Sequence, residues 1–102
     1  MEHLRQEALS AAHTMASHLA AYCSVQRVTL FGSVLDESAF SEESDIDIAV
    51  EGLDPERYFE ALGEISMHTT FNVDLVPYED AREFMKQRIR RGKVLYEKKQ
   101  NT

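Results

Sequence analysis

Hydrophobic residues recur along the chain with two different periods, and each change of period marks the boundary of a predicted element. Residues 2–22 carry apolar side chains at helical spacing, which predicts an amphipathic helix. These apolar positions are Leu4, Ala8, Ala11, Met15, Leu19 and Tyr22. Residues 25–31, VQRVTLF, are rich in β-branched and apolar residues and stop at Gly32, which predicts a strand. The polar segment 34–44 then leads to a second predicted strand at 46–51, IDIAVE.

The second half of the chain alternates between helix and strand. Asp54 suits an N-cap and Pro55 suits the first helical position, where its missing N–H group costs no hydrogen bond, so a helix begins here. Its predicted inward face consists of Tyr58, Phe59, Leu62 and Ile65. A third strand is predicted at 72–76, and a last helix at 79–91 is ended by Gly92 and followed by an extended KVLYE. Ala81, Phe84, Met85 and Ile89 are predicted to lie on one side of this last helix.

The order of these elements predicts an α+β fold. The strand, helix and strand between residues 46 and 76 could form a parallel crossover unit, whereas strand 25–31 could pair in either direction. For 102 residues without repeats or linkers, the expectation is one small domain over residues 1–102. That domain should contain a small mixed β-sheet with helices packed mainly on one face.

Composition narrows the class of protein. Hydrophobic residues make up 43% of the chain, and only two prolines and four glycines occur, which favours a packed core over disorder. The single cysteine, Cys23, excludes an internal disulfide and suggests a cytoplasmic protein. The N-terminal residues do not resemble a signal peptide, and no stretch approaches the ~20 apolar residues of a membrane span. No membrane association is therefore expected.

The net charge of −7 is unevenly distributed. Residues 36–64 contain eleven acidic residues and one basic residue, whereas residues 82–99 contain eight basic residues and two acidic ones. Because phosphates repel an acidic chain, direct nucleic-acid binding is not expected. The acidic half suits a bound cation, and the basic tail suits an anion or an acidic partner surface. The alternative is that both are solvated faces that only keep the protein soluble.

Two aspartates interrupt the apolar strand in SDIDIAV. Asp45 and Asp47 alternate with Ile46 and Ile48, so the aspartates should share one face of the sheet and the isoleucines the other. The strand rise would set the two carboxylates roughly 5–7 Å apart, which is close enough to share a metal ion. Hard oxygen ligands without histidine or cysteine beside them favour Mg²⁺ or Mn²⁺. A strand with one solvated face is the alternative interpretation.

A third aspartate, Asp74, lies within the apolar segment FNVDLVP, although aspartate is disfavoured in strands. If strands 46–51 and 72–76 are neighbours, Asp74 can join Asp45 and Asp47. Three converging carboxylates are the ordinary layout of a two-metal phosphoryl or nucleotidyl transfer site. The sequence therefore predicts that these three residues are catalytic and bind the metal.

Gly32 and Ser33 end the first predicted strand. A glycine lets the backbone approach a ligand closely or adopt a positive φ, and the serine offers a hydroxyl and an N–H group to a phosphate. The pair alone has little meaning, but it follows an apolar strand that leads to the aspartates. We therefore predict that Gly32 and Ser33 hold the terminal phosphates of a nucleoside triphosphate.

The motif LFGS, eleven residues and then DID, with a later isolated aspartate in a strand, resembles the minimal nucleotidyltransferases of the DNA polymerase β superfamily. The tail IRRGKVLYEK is also similar to the end of such domains, so the resemblance extends from about Val25 to Glu97. It implies a polymerase-β-like nucleotidyltransferase core that uses ATP and Mg²⁺ (or Mn²⁺). The matching residues are Gly32 and Ser33 for phosphate, and Asp45, Asp47 and Asp74 for metal and catalysis.

The resemblance also implies a partner. Such stand-alone domains often occur as the antitoxin beside a HEPN-domain ribonuclease toxin, and some transfer AMP from ATP to a tyrosine of that toxin. The expected function is therefore that of an antitoxin and protein adenylyltransferase, in which the acceptor comes from another chain. The alternatives are an antitoxin of little or no catalytic activity that neutralises the toxin by binding, and nucleotidyl transfer to a small molecule or an RNA end. Apolar surface on the first helix could also form an interface between copies of the chain.

The chain departs from the family pattern directly after the glycine–serine pair. Many members carry arginines there, as in GSRARG, which help to bind phosphate, whereas this chain continues with VLDESAF. Acidic side chains thus replace a cationic patch beside the expected triphosphate site. Compensation could come from Arg27, Arg88, Arg90 or Arg91.

Overall fold

A computed structural model of the protein describes residues 2–99, and three α-helices lie in this part of the chain. They are α1, Glu2–Tyr22; α2, Tyr58–Ser66; and α3, Glu83–Arg90. The predicted helix over 2–22 is confirmed. The last helix is shorter than the predicted 79–91, because Tyr78–Asp80 forms a separate 3₁₀ turn and Ala81 is extended. None of the helices within the described residues is long and apolar enough to cross a membrane.

Four strands form one mixed sheet in the order β3-β2-β1-β4. They are β1, Arg27–Phe31; β2, Ile46–Glu51; β3, Val73–Pro77; and β4, Lys93–Glu97. β2 and β3 run parallel, which confirms the crossover through α2. β1 runs antiparallel to both of its neighbours, β2 and β4, which answers the question of direction that the sequence left open.

The main core lies between one face of the sheet and helices α1 and α2. Alternate strand side chains point to this face. The strands contribute Val28, Leu30, Ile46, Ile48, Val50 and Leu75. The helices contribute Ala8, Ala12, Met15, Ala16, Leu19, Ala61 and Ile65. The predicted α+β architecture, with helices mainly on one face of a small mixed sheet, is therefore confirmed.

A smaller apolar cluster covers the opposite face of the sheet. Phe31 of β1 and Ala49 of β2 pack there against Ile89 of α3, and all three are buried. Gly92 brings α3 and β4 close to β1: a Cβ atom at Gly92 would lie 2.5 Å from the carbonyl oxygen of Leu30. Any side chain at this position would therefore push the end of α3 away from the sheet.

Phe59 was expected on the inward face of its helix and is exposed, so that prediction is wrong. Tyr22 and Phe84, which were grouped with apolar positions of their helices, are exposed as well. Tyr22, Phe59 and Phe84 are 65%, 82% and 64% exposed. At 3.6 residues per turn, Phe59 lies about 120° around α2 from the buried Ile65, and Phe84 lies about 140° around α3 from the buried Ile89. Tyr22 is in the last turn of α1, where it lines a surface cavity instead of the core.

Candidate active site

Asp47 lies near the start of β2, between residues of both neighbouring strands. Its Cα is in register with that of Phe31 on β1 and with that of Asp74 on β3. Ile46 and Ile48, on either side of it, are fully buried in the main core. Because side chains alternate along a strand, Asp47 points to the opposite face, as SDIDIAV predicts. That face is the one covered by α3.

The electrostatic environment of Asp47 connects the three aspartates. Partial burial raises the pKa of Asp47 to about 6, and the negative charges of Asp74 and Asp45 act in the same direction. The positive charge of Arg88 acts in the opposite direction. Asp47 is in register with Asp74, and Asp45 lies two residues before Asp47, so the three aspartates lie in one region of the sheet. A bound cation would remove the repulsion and favour the ionised form of Asp47.

Asp45 and Asp74 are more exposed than Asp47. Asp45 precedes β2, and Asp74 lies on β3, which is an edge strand of the sheet. Within residues 2–99, no three carboxylate, imidazole or thiolate groups are already gathered closely enough to hold a metal ion. The donor chemistry of the three aspartates fits a hard divalent cation, and exposed side chains are free to rotate towards one.

Gly32 connects the glycine–serine motif to the aspartates. Its φ of +84° lies in the left-handed region that favours glycine. A Cβ atom at this position would lie 2.1 Å from Oδ2 of Asp47, so a side chain would displace the carboxylate. Of the two properties that a glycine allows here, the positive φ therefore occurs, and the approach to a phosphate stays a prediction. The group that approaches the glycine is the Asp47 carboxylate itself.

Ser33 follows in a one-turn 3₁₀ helix, Gly32–Leu35, and is partly exposed. Val34 anchors this turn: its side chain is fully buried, and its carbonyl oxygen accepts a hydrogen bond of 2.8 Å from Nε of Arg5 in α1. The turn that carries Ser33 is thus fixed both to the core and to the first helix.

The acidic loop after this turn is partly folded onto itself. Oδ1 of Asp36 accepts hydrogen bonds from the backbone N–H and the hydroxyl of Ser38, at 3.0 and 2.7 Å. The hydroxyl contact is the main reason that the pKa of Asp36 lies below its usual value. Asp36 is therefore ionised and held within its own loop.

Two of the four arginines that could compensate for the acidic loop are already paired with acids. Arg27, on β1, lies between Glu51 and Glu97 and forms ion pairs with both. Arg90, on α3, pairs with Glu83 at 3.2 Å and donates a hydrogen bond of 3.0 Å to the hydroxyl of Tyr78. These partners reduce the attraction that either guanidinium can offer to an added anion.

Arg88 differs from Arg27 and Arg90 in the side chains that surround its guanidinium group. Its guanidinium carbon lies 5.6 Å from the centre of the Phe31 ring, and the residue is exposed. The one hydrogen bond that its side chain makes within the described residues goes to the sulfur of Met85, at 3.8 Å. The sequence named Arg88 only as one of four candidates. No signal in the sequence separates it from Arg90, since both adjoin Ile89.

Two surface cavities are lined by none of the three aspartates. One of about 370 Å³ lies between α1 and α2, near His18 and Glu64. Another, of about 530 Å³, lies near Tyr58 and Pro77. On the sheet face that carries Asp47 and Asp74, Asp74 is exposed and Asp47 is partly buried.

A sequence profile of the family described as "Polymerase beta, Nucleotidyltransferase" matches residues 14–101 of the chain. No protein with a curated description matches. Among solved structures, the chain is similar to a crystal structure of the toxin–antitoxin MntA–HepT, with a TM-score of 0.65 and 25% identity, covering 88% of this chain and 73% of the other.

Two further toxin–antitoxin structures are similar. One is a complex with AMP-PNP, with a TM-score of 0.68 and 27% identity, covering 84% of this chain and 73% of the other. The second is an MntA complex in which two aspartates, two positions apart, are mutated to glutamate. Its TM-score is 0.71 at 25% identity, and the match covers 85% of this chain and 73% of the other.

Proposed function

The chain belongs to the polymerase β nucleotidyltransferase family, and we propose that it is an antitoxin that transfers AMP from ATP to its toxin partner. The observation that carries this proposal is the register that sets Asp47 opposite Asp74, with Gly32 against the Asp47 carboxylate. Three separate parts of the sequence motif thereby meet on the sheet face opposite the main core. We further propose that residues 1–102 act as one minimal nucleotidyltransferase domain in the cytoplasm.

Each residue of the motif has a role in this reaction. The Gly32–Ser33 turn binds the terminal phosphates of ATP, and Asp45 and Asp47 are the ligands for Mg²⁺ (or Mn²⁺). Asp74 accepts the proton of the attacking hydroxyl or serves as a further metal ligand. The bond from the acceptor oxygen to the α-phosphorus forms as the bond from that phosphorus to the bridging oxygen breaks, and pyrophosphate leaves. The cation, when bound, neutralises the charge that develops on the attacking and leaving oxygens.

The similar structures support the choice of substrate and partner. One similar toxin–antitoxin complex contains AMP-PNP, an analogue of ATP, and another is a complex of MntA with HepT. The mutated aspartates of a third complex have the same spacing as Asp45 and Asp47. We therefore propose ATP as the nucleotide and a HEPN-type ribonuclease toxin as the protein that provides the acceptor hydroxyl.

Mass spectrometry of the partner toxin tests this function. The purified chain, the toxin encoded beside it, ATP and Mg²⁺ are incubated, and the toxin is expected to gain the mass of one or more AMP groups. The double variant Asp45→Asn with Asp47→Asn should bind the toxin and leave its mass unchanged. An unmodified toxin after incubation with the wild-type chain, in a mixture where the complex demonstrably forms, would contradict the proposal.

The second candidate function is neutralisation of the toxin by binding alone. The acidic segment 36–43 beside the expected phosphate site favours it, since this segment repels a triphosphate. Under this alternative, the double variant still protects cells from the toxin. Loss of protection by a double variant that retains the complex rules the alternative out.

A further inference from the structure

The proposed phosphate site has a deficit of positive charge. A nucleoside triphosphate is a polyanion, and Asp36 and Glu37 follow the Gly32–Ser33 turn in place of cationic side chains. Asp36 is ionised and fixed by Ser38, so this loop cannot become neutral near pH 7. A cation from another element is therefore needed to hold the phosphates.

Two guanidinium groups of other elements lie near this turn: Arg5 of α1 donates a hydrogen bond to the carbonyl oxygen of Val34, and Arg88 of α3 lies beside Phe31. Arg88 stacks over the ring of Phe31, the residue that immediately precedes Gly32. Phe31 is also in register with Asp47 across the β1–β2 pair, so the same ring adjoins both parts of the motif. The buried Ile89 and the close contact of Gly92 with β1 hold this part of α3 in place.

Within the described residues, no carboxylate forms an ion pair with Arg88, in contrast to Arg27 and Arg90. Its guanidinium can thus turn to a new anion without losing an acidic partner.

We propose that Arg88 binds the β- and γ-phosphates of the nucleotide at the Gly32–Ser33 turn. A basic residue of α3 thereby replaces cations that the loop after the turn lacks. The planar guanidinium can donate two parallel hydrogen bonds to phosphate oxygens while it remains stacked on Phe31. This inference rests on the proposed function, since it assumes that the site accepts a nucleoside triphosphate.

Nucleotide titrations by calorimetry test the role of Arg88. AMP-PNP and AMP are titrated, with Mg²⁺, into the full chain and into variants whose thermal unfolding confirms that they are folded. Arg88→Gln should weaken AMP-PNP binding about 10- to 100-fold, the range for a charge-assisted hydrogen bond, and should change AMP binding by less than about threefold. Arg88→Lys keeps the positive charge but loses the planar group that donates two parallel hydrogen bonds. It should therefore lose less affinity for AMP-PNP than Arg88→Gln.

Arg90→Gln is the matched control. It removes the same charge from the same helix, but from a residue already paired with Glu83 and Tyr78, so AMP-PNP affinity should change by less than about threefold. Equal losses in the Arg88→Gln and Arg90→Gln variants would overturn the proposal, because they would indicate a general effect of net charge. Equal losses for AMP-PNP and AMP would also overturn it, because Arg88 would then only support the fold of the site.

The titrations separate this inference from the proposed function. If the wild-type chain binds AMP-PNP through Arg88 but the toxin is never modified, the proposed transfer fails and the role of Arg88 stands. If the toxin is modified equally by the wild-type and Arg88→Gln chains at limiting ATP, the role of Arg88 fails and the transfer stands. A wild-type chain that does not bind AMP-PNP at all overturns the inference.

Discussion

Asp47 is the residue at which the needs of stability and of the proposed chemistry oppose each other. Its carboxyl group is partly buried, adjoins Gly32 and feels two other carboxylates, so the ionised form is disfavoured in the absence of a cation. A residue with only a structural role would be expected to carry no charge there. The retention of an ionisable group under these conditions is typical of a site that binds a cation.

The first prediction concerns the stability of an Asp47→Asn variant. Folding raises the pKa of Asp47 from its ordinary value to about 6, so the protonated form is favoured by the folded state. The stabilisation from this group is complete below the unfolded pKa and is lost as the pH rises through 6. At pH 7 the variant should therefore be more stable than the wild type, by about 1–2 kcal/mol after allowance for partial exposure.

Urea unfolding at two pH values measures this effect. The gain of the variant should be largest near pH 7 and should shrink below about 0.5 kcal/mol near pH 4, where Asp47 of the wild type is protonated. Asp74→Asn, at an exposed position on the edge strand, is the control and should give a smaller gain. An Asp47→Asn chain that is less stable than the wild type at pH 7, without Mg²⁺, would contradict the prediction.

At the scale of elements, the sequence predicts the strands better than the helix faces. The strand containing Asp47 and the strand containing Asp74 are each marked by apolar residues around an aspartate, and the helix between them dictates a parallel pair. The direction of β1 could not be derived, because the segment 32–45 is long enough for either arrangement. Helices of eight or nine residues, such as α3 and α2, show too few turns for aromatic residues to be assigned to the core by spacing alone.

The second prediction concerns Gly63, an interior residue of α2. A Cβ atom built at Gly63 meets no other atom within 4 Å, and glycine is the least favourable residue in a helix interior apart from proline. Gly63→Ala should stabilise the protein by about 0.5–1 kcal/mol, which corresponds to a rise in Tm of several degrees for a domain of this size. Differential scanning calorimetry measures the change.

Gly32→Ala is the matched comparison for Gly63→Ala. The same substitution places a methyl group 2.1 Å from Oδ2 of Asp47, at a residue with positive φ, so its Tm should fall. Both substitutions replace glycine with alanine, and they differ only in the backbone conformation and in the atoms that surround the new methyl group. A similar change of Tm in both variants would refute the conformational argument.

At the scale of the whole molecule, the two faces of the sheet serve separate purposes. One face packs against α1 and α2 and forms the main core, whereas the other carries Asp47 and Asp74 beside α3. The acidic and basic halves of the sequence meet at this second face. The sequence alone could not show this, because the β1–β4 pair joins positions as far as 70 residues apart, such as Arg27 and Glu97.

The third prediction uses this separation. Met15, in α1, is fully buried in the main core, so Met15→Ala should cost about 2–5 kcal/mol in the free energy of unfolding. Because the core face is opposite the aspartates, AMP-PNP affinity measured well below the lowered Tm should stay within about twofold. Met67→Ala, at a position that is 80% exposed, is the control and should change stability by less than about 0.5 kcal/mol.

The distant pairing of β4 with β1 also has a kinetic consequence. Contacts between neighbouring segments form early in folding, so β2, α2 and β3 should assemble before β4 reaches β1. α3 has one buried side chain, Ile89, so little apolar surface holds the segment from α3 to β4 against the sheet. Local opening should therefore begin in this segment. Each opening removes Arg88 from the face that carries Asp47. A bound nucleotide that contacts both would therefore slow amide hydrogen exchange in a segment that contains none of the aspartates.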